Sequence, residues 1–219
     1  MKPEKPKPEE PKPDVPEEPE DGGNTNITVD RTFHKLPLTE AKATKTAVKV
    51  SWKQVADADG YVIYCAQCNT KNKTYKFKKI AVIKNGSKIT YTNKKLKSGT
   101  YYKYYIKAYK LVNGKKVWLA KSKAIHATTS GGKYGNAKAV KVNKSSVALK
   151  KGKTFKLQAV QVTNGKPIQK HAKIKYESTN KKVATVNSKG VIKAKKKGTC
   201  YIYVYAQNGV YKRIKVTVK

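Results

Sequence analysis

The sequence predicts an all-β protein: two tandem antiparallel β-sandwich domains behind a disordered, proline-rich linker. Three observations predict it. Beyond position 30 the apolar residues recur with a period of two, not 3.6. Turn-forming pairs such as Asp59-Gly60, Asn113-Gly114 and Lys151-Gly152 cut the chain into short runs, with no amphipathic helical stretch between them. Proline and acid are segregated, since residues 1–30 hold 7 of the 9 Pro and 9 of the 13 Asp and Glu.

The linker comes first. Met1–Asp21 alternates Pro with Lys and Glu, a composition that cannot bury a core and favours an extended polyproline-like spacer. Residues 22–30 add a softer Gly/Asn/Thr joint, and the tract implies further domains of the same protein upstream. Residues 31–129 form the next unit. Val48, Val50 and Trp52 alternate with Lys49, Ser51 and Lys53; Tyr61–Ala66, Tyr75–Ile83, Ile89–Tyr91 and Tyr101–Leu111 follow. Asn113-Gly114 signals a two-residue hairpin, and Val117–Thr128 closes the set. About seven short strands in this length fit a sandwich.

Residues 130–137 (SGGKYGNA) read as a Gly-rich hinge, and residues 138–219 as a second sandwich. Its last hairpin can be worked out from pairing. A two-residue Asn208-Gly209 loop would set Ile214 against Tyr203 and mix polar with apolar faces. A three-residue loop, Gln207–Gly209, sets Ile202 against Ile214 and Cys200 against Val216, so one face is wholly apolar. Gly209 is then expected in a left-handed conformation. The outer face would pair Tyr205 with Tyr211, Tyr203 with Arg213 and Tyr201 with Lys215, as aromatic and cation–π contacts. In the first unit Tyr102, Tyr104, Ile106 and Ala108 point inward. Tyr101, Lys103, Tyr105, Lys107 and Tyr109 then face out, with Tyr64 beside them.

Two resemblances rest on these residues. Residues 31–129 resemble a fibronectin type III domain, through VKVSWK (48–53), DGYVIY (59–64) and the series Leu96, Gly99, Tyr102, Tyr104, Ile106, Ala108. The resemblance implies Trp52 and Tyr61 in the core, Leu96 under the corner, and Tyr102 as a tyrosine-corner residue whose hydroxyl meets backbone. The integrin-type Arg-Gly-Asp loop is absent. Residues 138–219 resemble a bacterial Ig-like domain of group 2, through Ser178-Thr179-Asn180, Val183–Val186, Gly190 and Lys197-Gly198-Thr199. Tyr176 stands where that family often has Trp and is expected to keep an aromatic in the core, with Cys200 and Ile202. Both resemblances imply an extracellular module of a bacterial surface or secreted protein, with a spacer or adhesion role.

Charge bounds the partners. The chain carries 50 Lys and Arg and a net charge of +37, yet only Arg31 and Arg213 are Arg. A lysine-clad body attracts polyanions in a salt-sensitive way. Without arginine forks, specific reading of nucleic acid is not expected. The expected partners are anionic cell-wall polymers or glycans, and the alternative is an accessory glycan-binding region of a secreted glycoside hydrolase using exposed tyrosines. A solvated surface with β-favouring Tyr and edge-protecting Lys accounts for the same pattern. No apolar run is long enough for a membrane span, and a monomer is expected.

Chemistry is not expected. His34, His126 and His171 fall in three regions, and no paired carboxylates or nucleophile–His–acid set can be assembled. Cys65-Ala66-Gln67-Cys68 lacks the helix N-terminus of a redox motif and the second ligand pair of a zinc site. It reads as a buried Cys65 with a loop Cys68, or as a local disulfide. Asp57–Gly60 lacks the later oxygen ligands of a calcium loop. Leu36–Glu40 approaches a sortase signal but ends in Glu. No catalytic residue, metal or cofactor is predicted.

Overall fold

The computed structural model describes residues 32–68, 75–169 and 173–219; the predicted linker over 1–30, Arg31 and His171 lie outside them. Every regular element is a strand. In the first sandwich these are β1 (Leu38–Ala43), β2 (Val48–Trp52), β3 (Gly60–Gln67), β4 (Lys78–Ile83), β5 (Thr90–Asn93), β6 (Tyr101–Val112), β7 (Lys115–Lys121) and β8 (Ile125–Thr128). One sheet runs β1-β2-β5 and the other β4-β3-β6-β7, with β8 also paired to β6.

Strands β7 and β8 are one strand interrupted. Lys107 pairs with Lys121 and Tyr104 with Ile125, so two residues of β6 face three of the partner. The extra residue is a bulge, stitched by Ser122 N–H to the Ile106 carbonyl (2.9 Å) and Ile106 N–H to Ser122 Oγ (2.9 Å). Strict alternation from an outward Lys121 would turn Ile125 outward. The bulge resets the phase, so Ile125 stays in the core while Lys121, Lys123 and His126 line one outer groove. The sequence pattern of Val117–Thr128 predicts one continuous run and gives no sign of β1; the structure breaks that run at the bulge and adds β1 at the sheet edge.

The core between the sheets holds Trp52, Tyr61, Tyr102, Tyr104 and Ile106, with Leu96 packed at its edge. Tyr102 makes the expected corner, its hydroxyl accepting the Lys97 N–H at 2.9 Å. Tyr61 meets Trp52 edge-on at 5.1 Å, accepts the Val55 N–H and donates to the Gly86 carbonyl. Asn113 and Gly114, both at positive φ, form the two-residue turn between Val112 and Lys115.

The second sandwich comprises β9 (Ala137–Val142), β10 (Ser146–Leu149), β11 (Thr154–Lys156), β12 (Ala159–Thr163), β13 (Lys175–Ser178), β14 (Ala184–Val186), β15 (Val191–Ala194), β16 (Gly198–Tyr205) and β17 (Tyr211–Val218). A sheet ordered β10-β17-β16-β13 packs with β11-β15-β14 and β12-β9 around Leu157, Ile192, Cys200, Ile202 and Ile214, with Tyr176 against that core. One pairing departs from the antiparallel expectation: β10 runs parallel to β17. The last hairpin has the register expected from burial, Ile202 on Ile214 and Cys200 on Val216, and Gly209 sits at φ +84°.

The sandwiches meet through that hairpin loop. Glu40 N–H donates to the Asn208 carbonyl (2.8 Å), His126 N–H to the Gln207 carbonyl (2.7 Å), and Thr39 Oγ1 to the Gly209 carbonyl (3.3 Å). Asn208 is fully buried and its amide donates to Glu40 Oε2 (3.0 Å) and to the Ala137 carbonyl (2.8 Å). The Gly-rich connection is tied down as well. Asn136 bonds both backbone groups of Thr128, and Ser130 N–H reaches the Thr44 carbonyl.

Candidate functional site

The outer face of β6 is built by alternation. With Tyr102, Tyr104, Ile106 and Ala108 committed to the core, Tyr101, Lys103, Tyr105, Lys107 and Tyr109 turn outward, joined by Tyr64 from β3 and Trp118 from β7. The structure brings these side chains together but does not leave the rings open. Tyr105 and Tyr109 are each only 2% exposed, and Tyr101 is buried too. Tyr64 stacks on Tyr105 (4.5 Å between centroids, 11° between planes), Phe77 meets Tyr105 edge-on at 4.7 Å, and Tyr109 meets Trp118 edge-on at 6.2 Å. Lysines roof this layer. Lys121 Nζ lies 4.2 Å from the Tyr105 centroid, Lys107 4.5 Å from that of Trp118, Lys116 5.3 Å from that of Tyr109 and Lys103 3.2 Å from that of Tyr75. Each such pair is worth about 0.5–1 kcal/mol at an exposed site. The expectation of exposed tyrosines on this strand is therefore corrected: ring and ammonium satisfy one another, and the face presented to solvent is cationic.

The corresponding face of the second sandwich is partly closed by the chain itself. Residues preceding β1 cross it. Phe33 stacks on Tyr205 (4.1 Å, 3°) and meets Tyr203 and Tyr211 edge-on, which buries Tyr205. Tyr201 and Tyr203 stay half-buried, Arg213 and Lys215 are exposed, and Tyr211 keeps 43% of its surface. Arg213 pairs with Tyr203 in register, yet its guanidinium lies over Tyr201 at 4.3 Å. A long side chain reaches its diagonal neighbour, and Phe33 and Tyr211 already flank Tyr203.

Glu177 lies under the same strap. It is buried, accepts the His34 N–H (3.2 Å), contacts His34 Nδ1 (3.0 Å) and pairs with Lys123 (2.7 Å). Burial alone would raise its pKa. Hydrogen bonds from Lys123, the Phe33 backbone and His34, with the Lys123 charge, hold it below the ordinary carboxylate value. Glu40 goes the other way: burial raises it against the hydrogen bond from Asn208. Neither role is legible from sequence, because the partners of both residues are remote in the chain.

Where β6, the bulge and β13 converge, a groove of about 380 Å³ opens. Lys103, Lys121, Lys123 and Lys175 line it, with His126 and Phe77. Burial lowers the pKa of Lys121 to about 8 and lowers that of Lys103; in Lys175 burial and the Lys123 charge act together in the same direction.

The cysteines are free thiols. Burial first, with the neighbouring Cys68, pushes Cys65 up to about 12, and burial pushes Cys68 to about 11 despite the Lys103 charge. Both are protonated at neutral pH and poor nucleophiles. Cys68 Sγ lies 3.9 Å from His126 Nδ1, a contact too weak and a thiol too basic for an activated pair. Asp59 is a structural residue, its carboxylate accepting the Leu111 N–H. Among the described residues no group of His, Cys, Asp and Glu could hold a metal ion, and no helix is long and apolar enough to cross a membrane.

Comparison with known proteins agrees with the second sandwich. Kappa-carrageenase of Pseudoalteromonas carrageenovora is 41% identical over 69 residues, which is 32% of this chain and 17% of that protein. Among solved structures, the fn3 domain of human collagen alpha-1(XX) chain is 18% identical with a TM-score of 0.34, covering 43% of this chain and 81% of its own. A solved myokine is 16% identical with a TM-score of 0.33, covering 42% of this chain and 92% of its own. The family model of the bacterial Ig-like domain (group 2) matches residues 136–218, the segment that carries strands β9–β17.

Proposed function

We propose that the chain is a non-catalytic extracellular module pair of a bacterial surface or secreted protein, which spaces or anchors its neighbours by holding an anionic polymer. One observation carries this reading. Lysines of the β6 face are seated over a buried aromatic layer, Lys107 over Trp118 and Lys116 over Tyr109, which makes the outer side of that layer cationic. The net charge of +37 supplies the long-range attraction. The bacterial Ig-like domain supports an extracellular setting.

The test is retention of the protein on purified bacterial cell walls. Binding should fall steeply between about 50 and 200 mM salt, the range over which counterion release is felt. It should vanish on walls stripped of anionic polymer. Binding that ignores salt, or that survives stripping, overturns the reading.

A second reading, an accessory glycan-binding region of a glycoside hydrolase, is favoured by the segment shared with kappa-carrageenase. There binding would use the open ring of Tyr211 with Tyr201, survive high salt and be lost in Tyr211→Ala.

A further inference from the structure

We infer that the groove between the sandwiches is an oxyanion site that takes a sulfate ester or phosphodiester of an acidic polymer, clamped by Lys103, Lys121 and Lys123 of the first domain and Lys175 of the second. This rests on the proposed polymer-holding role and names the place where it acts.

The argument is geometric. The bulge at Ser122–Ala124 turns Lys121, Lys123 and His126 to one side, so β6 and the interrupted strand present their ammonium groups at a single opening. Strand β13 adds Lys175 from across the joint. Among the described residues the carboxylate beside the groove is Glu177, and its oxygens are already engaged by Lys123 at 2.7 Å and His34 at 3.0 Å. Four lysines against that one carboxylate give the described lining of the groove excess positive charge. The lysines feel one another, since Lys175 disfavours the charged form of Lys103 and Lys123 disfavours that of Lys175. Gathering like charges in a concave, partly desolvated place costs energy that a bound anion offsets. Lysine ammonium groups suit a tetrahedral oxyanion with several acceptor oxygens. The volume of about 380 Å³ admits such a group with part of the residue that carries it, and Phe77 gives one apolar wall. Because Lys175 belongs to the other sandwich, the anion bridges the domains and binds best when the hairpin loop is docked.

The experiment measures affinity for dextran sulfate, poly(glycerol phosphate) and uncharged dextran at about 150 mM salt. The proteins are wild type, Lys103→Gln/Lys175→Gln, and the control Lys150→Gln/Lys151→Gln, which removes the same charge from an exposed turn. A groove site predicts that the first pair weakens binding about tenfold or more and the control about twofold or less. Ala124→Glu, which adds a carboxylate at the exposed rim without removing a lysine, should match the first pair and guards against a folding artefact. Which of the two anionic probes shows the difference identifies sulfate ester or phosphodiester as the source. Equal losses in the two double variants overturn the groove and leave diffuse polymer holding intact. If wild type binds neither anionic probe better than dextran, the polymer-holding role itself fails and takes the groove with it.

Discussion

Replacing Gly209 by alanine tests whether the joint between the sandwiches is built as described. Gly209 has φ +84°, and a Cβ there would lie 1.9 Å from the Leu38 carbonyl oxygen and 3.0 Å from Thr39 Cα. Gly114 provides the control: its φ is +73° and a Cβ would meet nothing within 4 Å. Left-handed backbone costs an L-residue about 1–2 kcal/mol, less about 0.4–1 kcal/mol returned by a stiffer unfolded chain. That is the whole loss expected for Gly114→Ala. At Gly209 the methyl group must also push the loop off β1. This puts at risk the bonds of Glu40 N–H to Asn208, Thr39 Oγ1 to Gly209 and Asn208 Nδ2 to Glu40. At about 0.5–1.5 kcal/mol each, the total for Gly209→Ala comes to about 2–6 kcal/mol, against about 0–1.6 kcal/mol for Gly114→Ala. Denaturant midpoints of the two variants measure the difference. Amide hydrogen exchange at Glu40 and His126 should quicken in Gly209→Ala and stay unchanged in Gly114→Ala. Equal stability losses, with both amides still protected, would refute the docking of the loop.

Three further outcomes follow from single contacts. Tyr102→Phe removes the hydroxyl that accepts the Lys97 N–H and should cost about 0.5–1.5 kcal/mol with an unchanged denaturant slope. Glu177 has a folded pKa below its unfolded value of about 4.3, so its contribution is present above that pH and is lost as pH falls through the folded value. Glu40, raised by burial, has the opposite sign: stability is gained as pH falls through its folded pKa, so Glu40→Gln should be neutral or stabilising at pH 7 while Glu177→Gln destabilises. Thermal midpoints of the two variants across acidic and neutral pH check this pair. The thiols, with Cys68 at about 11 and Cys65 at about 12, should alkylate slowly at neutral pH, at rates rising about tenfold per pH unit toward those values.

Local rules carried far in this chain. The final hairpin was legible because one register alone buries Cys200, Ile202, Ile214, Val216 and Val218 together. Asn113-Gly114 was legible because few residue pairs accept positive φ at both turn positions. The bulge at 122–124 was not, since Lys-Ser-Lys-Ala is compatible with an unbroken strand and only pairing with β6 reveals the extra residue. Nor was β1, whose segment LTEAKA carries too few apolar residues to show a period. The parallel β10 escaped because the direction of pairing leaves no mark on four residues.

The tyrosine faces show where alternation stops being enough. It correctly divides β6 and β16 into inward and outward residues, because burial on one side fixes the register. It cannot say what covers the outward side. On β6 the cover is local: lysines one pairing away lie over the rings, so a stripe that looks like a sugar platform is an aromatic foundation for charge. On β16 the cover is remote. Phe33, from the other end of the described chain, stacks on Tyr205 while Leu36, three residues on, sits in the first core. The strap therefore ties both sandwiches together at the same place as the hairpin loop and the Lys123–Glu177 pair. Deleting the Phe33 ring should accordingly loosen the domain joint as well as expose Tyr205. Phe33→Ala is expected to cost about 3 kcal/mol or more, as large core truncations do, and to speed amide exchange at His126, whose partner Gln207 lies next to the uncovered strand. A loss confined to the tyrosine environment, with His126 still protected, would separate the strap from the joint.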